Sequence, residues 1–96
     1  MLENYLRSVN SAAPTLIASA PISAKGKIKI YVANNGANDV YLGSSDVLST
    51  DGYLLVKAVG QTIGYRQEFE IFSGESLYAI CASGLTSTVA VIVTGL

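Results

Sequence analysis

The chain contains no histidine, no tryptophan and a single cysteine, Cys81, among its 96 residues. Without histidine there is no Ser-His-Asp or Cys-His pairing, so the commonest way of activating a nucleophile is missing. A lone cysteine makes no intrachain disulfide and no zinc site of the usual His/Cys kind. Charge is scarce too. Six Lys and Arg face seven Asp and Glu, giving a net charge of -1 with only 14% of residues charged. Soluble domains average about 25%. Bulk nucleic-acid binding needs a basic footprint, and none is present. No apolar run approaches the roughly 18 to 20 residues that span a bilayer as a helix. The longest near the end, Val89-Ala90-Val91-Ile92-Val93, has the length of a strand. Met1 to Arg7 lacks the basic and apolar regions of a signal peptide, so the chain reads as made in a reducing cytosol.

What is present is apolar. Half of the residues are hydrophobic and the mean hydropathy is positive. A domain of this size has a large surface relative to its volume and should need more polar residues, not fewer. The composition therefore predicts that some apolar surface is covered by a partner or by copies of the same chain.

Along the chain the periodicity is that of strands. Residues 1–14 read as an N-terminal arm. Glu3 to Arg7 has room for one helical turn, which Ser8, Asn10, Ser11 and Pro14 cut short. From residue 15 to 96 a single all-β domain is predicted. Thr15 to Ala20 is a short extended run. Lys27 to Val32 alternates cleanly, with Ile28, Ile30 and Val32 on one face and Lys27, Lys29 and Tyr31 on the other. Asn34 to Asp39 is dense in turn formers and Val40 to Leu42 resumes as a strand, so residues 27–42 read as a hairpin. Tyr53 to Val56 forms an apolar run. Gly60 to Gly64 reads as a loop. Gln67 to Ile71 alternates, with Phe69 and Ile71 inward. Leu77 to Ala82 and Thr88 to Val93 are apolar on both faces. About seven short strands at regular spacing predict a small antiparallel β-sandwich, jelly-roll-like, with an N-terminal arm.

Several residues are candidates for chemistry. Lys25, Lys27 and Lys29 form a basic stripe, better explained as a solvated strand face. Asp39, Asp46 and Asp51 flank two loops but match no calcium-loop spacing, and turn-forming Asp accounts for them. Glu68 and Glu70 sit two apart on one strand face in a polar run, as solvated carboxylates do. Tyr31 and Tyr41 face each other across the predicted hairpin as a cross-strand pair. Cys81 reads as a small buried hydrophobe. No catalytic, cofactor-binding or metal-ligating set emerges, and the chain reads as non-enzymatic. The candidates for intersubunit contact are Tyr5, Leu6, Leu16, Ile17, Tyr53, Leu54, Tyr78 and Ile80, large apolar and aromatic residues of segment 1–20 and of the apolar strands.

One ordered set of phrases adds to this reading. It runs Ile28-Lys29-Ile30-Tyr31, then Asn34 to Gly43, Ser49-Thr50-Asp51-Gly52, Gly74 to Ile80, and Ala82-Ser83-Gly84 leading to Thr88-Val89-Ala90-Val91. Over residues 25–93 the chain resembles small β-sandwich structural proteins of tailed bacteriophages, of the capsid decoration (cement) or head-fibre type. The resemblance implies a homotrimer on the capsid surface, made in the bacterial cytoplasm, that stabilises the head by contact with the major capsid protein or another virion protein. No cofactor, nucleic acid or membrane is implied. The resemblance leaves open a tail- or fibre-associated adaptor. A glycan-binding module using Tyr41 or Tyr53 is the alternative from another class.

Overall fold

In the computed structural model the chain is described over residues 3–20, 26–58 and 66–94. These residues form eight strands and no helix: β1 (Glu3–Val9), β2 (Thr15–Ser19), β3 (Lys27–Asn34), β4 (Val40–Gly43), β5 (Tyr53–Leu55), β6 (Arg66–Phe72), β7 (Ser76–Ile80) and β8 (Ser87–Thr94). They make two four-stranded antiparallel sheets, ordered β1-β8-β3-β6 and β2-β7-β4-β5. The chain changes sheet at every connection except that between β4 and β5. This is the strand order of an eight-stranded jelly roll, so the all-β sandwich is the fold.

Two details depart from the sequence reading. Residues 3–9 are not an arm. They are the edge strand β1, paired with β8 without a break from Glu3 opposite Val93 to Val9 opposite Ser87. An isolated helical turn of this length is marginal in water. The ladder instead gives the backbone groups of these residues partners on β8. This strand brings the count to eight. Residues 27–42 are not a hairpin either. β3 pairs with β6 and β8, whereas β4 belongs to the other sheet. The turn-forming stretch after Asn34 carries the chain across the sandwich, so Tyr31 and Tyr41 lie in different sheets and form no pair. The Gly60–Gly64 loop lies outside the described residues.

The core is aliphatic. Ile28, Ile30 and Val32 of β3 and Val89, Val91 and Val93 of β8 face Val40, Leu42, Leu55, Leu77 and Ala79 of the second sheet. The alternation anticipated for β3 holds residue by residue. Each fully buried Ile or Leu contributes about 1.5–3 kcal/mol of transfer free energy. At one open side of the sandwich, Tyr53 of β5 meets Phe69 of β6 edge to face, with ring centroids 5.6 Å apart.

Among the described residues one polar side chain is fully enclosed. Asn34, 0% exposed, ends β3 and uses all of its hydrogen-bonding capacity. Its Nδ2 donates to the carbonyls of Asn38 and Leu55, both at 2.9 Å. Its Oδ1 accepts from the Gly36 N–H at 3.0 Å and the Ser87 hydroxyl at 2.9 Å. The loop at 35–39 is therefore pinned to both sheets.

Candidate functional site

Register and burial assign each strand residue to a face. On the first sheet, β8 turns Val89, Val91 and Val93 inward and leaves Ala90 and Ile92 outward. Ala33 lies beside Ala90, and Tyr31 beside Ile92, on β3. Leu6 lies beside Ala90 on β1. The result is an apolar stripe across the outer face, where Leu6, Tyr31 and Ile92 are 63%, 40% and 40% exposed. Tyr31, Ala33, Ala90 and Ile92, with Gln67 and Glu68 of β6, line a shallow open groove of about 510 Å³.

The charges beside this stripe neutralise one another. Lys27 reaches Glu70 at 3.1 Å and Lys29 reaches Glu68 at 3.2 Å, all four half-exposed. The Glu68 carboxylate holds the Lys29 ammonium above its ordinary pKa through its hydrogen bond and its charge. The lysines are thus half of a neutral ion-pair row, not a basic patch, and Glu68 and Glu70 are its other half. Lys25 lies outside the described residues. Solvent-exposed pairs of this kind contribute little to stability. Their effect here is to make this row of four side chains neutral as a whole.

The acidic loop residues serve the backbone. Asp39 Oδ1 accepts from the Lys57 N–H at 2.9 Å, and Asp51 Oδ1 accepts from the Leu48 N–H at 2.8 Å. Asp46 accepts from the Ser44 hydroxyl. Among the described residues no group of three or more His, Cys, Asp or Glu is placed to hold a metal.

The eight contact candidates separate. Leu6, Leu16, Tyr53 and Leu54 are exposed. Tyr5 and Tyr78 are half-buried. Ile17 and Ile80 are not surface residues: they are 1% and 7% exposed, covered by the chain itself. Ile80 was expected to need another chain to shield it and does not. Ile17 sits where the β2–β7 register shifts between Leu16 and Ala18: alternation after the exposed Leu16 already turns it inward, and the irregularity turns Ala18 inward as well. Tyr41 and Tyr53 point to opposite faces of the second sheet, since Tyr53 pairs with the inward Leu42 while Tyr41 lies opposite Leu54. They cannot form one stacking platform. The loop at 44–52 folds over that outer face, where a Cβ on Gly43 would lie 2.8 Å from Val47 Cγ2.

The residues that sequence reasoning missed are Tyr31, Ala33, Ala90 and Ile92 as one surface. Its signal was present in Ala90 and Ile92, which alternate with three inward valines and are not polar. Compared with models of known protein families, the chain matches none, and no curated protein is significantly similar to it.

Proposed function

We propose that this chain is a structural protein of a tailed-phage particle that decorates the head and stabilises it through protein–protein contacts, without a catalytic step. One observation carries the reading. A small, charge-poor sandwich leaves an uncharged apolar stripe of Leu6, Ala90, Ala33, Tyr31 and Ile92 open on one outer face. Such a stripe is costly in water unless a partner covers it. Viral coat proteins are among the proteins built on jelly rolls, along with lectins and cupins, so the fold agrees with this function without assigning it. The partners on this reading are the major capsid protein or another virion protein and further copies of the chain. Repetition over a shell converts weak single contacts into avidity.

Quantitative mass spectrometry of purified particles tests the reading. Many copies on tailless heads, removed together with part of the head's thermal stability, are expected. A few copies confined to tails would assign the chain to an adaptor instead. Saturable glycan binding by the isolated protein, with no particle association, would overturn the structural role.

A further inference from the structure

The two sheets have four edges, and three are blunted against pairing. β5 is three residues long. β2 carries a register shift. β6, paired end to end with itself about Phe69, would set Glu68 against Glu70 of the copy twice over. β1 differs. It is seven residues long, its register is unbroken, and it holds neither proline, glycine nor lysine.

We propose that β1 is a homodimerisation edge, on which two copies pair antiparallel about a twofold axis through Tyr5. That register sets Glu3 of each chain opposite Arg7 of the other and Asn4 opposite Leu6. It joins two four-stranded sheets into one of eight. Glu3, Tyr5 and Arg7 share one face of the strand, so both ion pairs form on the same side. The Arg7 guanidinium already lies 4.2 Å from the centre of the Tyr5 ring, held on the face of the strand from which the opposing carboxylate approaches. On the other face, Leu6 and its symmetry mate become diagonal neighbours and prolong the Ala33–Ala90–Leu6 row across the dimer. Pairing of five residues on each chain supplies four to six backbone hydrogen bonds, roughly one per residue pair. A twofold edge of this kind makes dimers, not the trimers that the family resemblance implies. It stands independently of the virion reading.

The contact is smaller than a standard interface of roughly 800 Å² per partner, so sedimentation equilibrium should run from about 10 µM to 1 mM. Wild-type protein is expected to dimerise in this range. Glu3→Arg and Arg7→Glu should each weaken the dimer about tenfold, because each acts at two symmetry-related sites. The double variant E3R/R7E should restore it. Circular dichroism of each variant verifies that the fold is kept. A second measurement is independent of charge. The double variant N4C/L6C should form a disulfide-linked dimer under mild oxidation and L6C alone should not, since only opposed positions are within bridging distance. A protein that stays monomeric at the highest concentration would overturn the proposal and make Glu3 and Arg7 guards of the edge. So would a dimer indifferent to the charge reversals, or cross-linking through L6C alone.

Discussion

The Tyr5 hydroxyl donates a 2.6 Å hydrogen bond to the carbonyl of Ile17, the one residue of β2 between Thr15 and Ser19 that has no partner in the β2–β7 register. The bond crosses from one sheet to the other and ties the first strand to the second. Both residues had the composition of contact residues, and they contact each other.

Removing that hydroxyl tests the tie. Tyr5→Phe leaves the ring in place and takes away one hydrogen bond, so a loss of about 1 kcal/mol in unfolding free energy is expected. Burial pushes the Tyr5 pKa above its ordinary value of 10.0, with Arg7 opposing and Glu3 adding to the shift. The unfolded chain then releases this proton at a lower pH than the native one. Between those two values the native state holds more protons, so stability falls as pH rises above about 10. Urea titrations of wild type and Y5F between neutral pH and pH 11 should show a stability gap that narrows with alkalinity. A constant gap would mean that the hydroxyl ionises at the same pH in the native and the unfolded chain.

How much of this was legible in the sequence follows from which interactions are local. The alternation of Ile28, Ile30 and Val32 against Lys27, Lys29 and Tyr31 assigned both faces of β3 correctly, because a strand's period belongs to the strand alone. The stretch after Asn34 was legible as a turn. Its destination was not, because nothing local says whether a turn returns the chain to the same sheet or sends it to the facing one. β1 was missed for a related reason: its partner, β8, lies some eighty residues away, and Glu-Asn-Tyr-Leu-Arg has no β-branched residue to announce a strand. The apolar outer stripe was half legible. Ala90 and Ile92 marked it on β8, but adding Leu6 required knowing that β1 lies alongside.

Cys81 should be chemically silent in the native protein. Its side chain is buried, and burial, with the negative charge of Asp39 adding to it, pushes the thiol above its ordinary pKa of 9.0. Thiolate is the reactive form, and here it is both scarce and hidden. Titration with a chromogenic disulfide reagent at pH 8 should give no reaction on the timescale of free cysteine until denaturant is added, then one thiol per chain. Stoichiometric reaction in buffer would mean that the Val9–Cys81 end of the sandwich opens readily.

The apolar outer face makes a prediction that separates function from fold. Ile92 lies on the outer face at 40% exposure, so Ile92→Glu gives up its cross-strand contact with Tyr31 but opens no cavity in the core, and should cost no more than about 1 kcal/mol. If the stripe is a contact surface, the same change places a charge in the middle of it and should abolish association with particles. Thermal denaturation and a particle-binding assay on one preparation read both. Retained binding would move the contact surface elsewhere on the molecule.

The Asn34 node should be the most sensitive polar site in the chain. Asn34→Leu fits the space approximately but strands the Leu55 and Asn38 carbonyls, the Gly36 N–H and the Ser87 hydroxyl, all previously paired. Leaving such groups without partners costs about 1–3 kcal/mol for each one that stays buried, so a loss of several kcal/mol is expected, near the whole stability of a domain this size. Gly36 is restricted for a separate reason. A Cβ there would lie 1.9 Å from Ser87 Oγ and 2.5 Å from the Thr88 backbone nitrogen. Gly36→Ala should therefore destabilise as well, and adding Ser87→Gly should not rescue it, because the Thr88 backbone cannot withdraw without breaking its place in β8. Equilibrium unfolding of G36A and of G36A/S87G decides the point: recovery of wild-type stability in the double variant would show that the Ser87 hydroxyl alone crowds the loop.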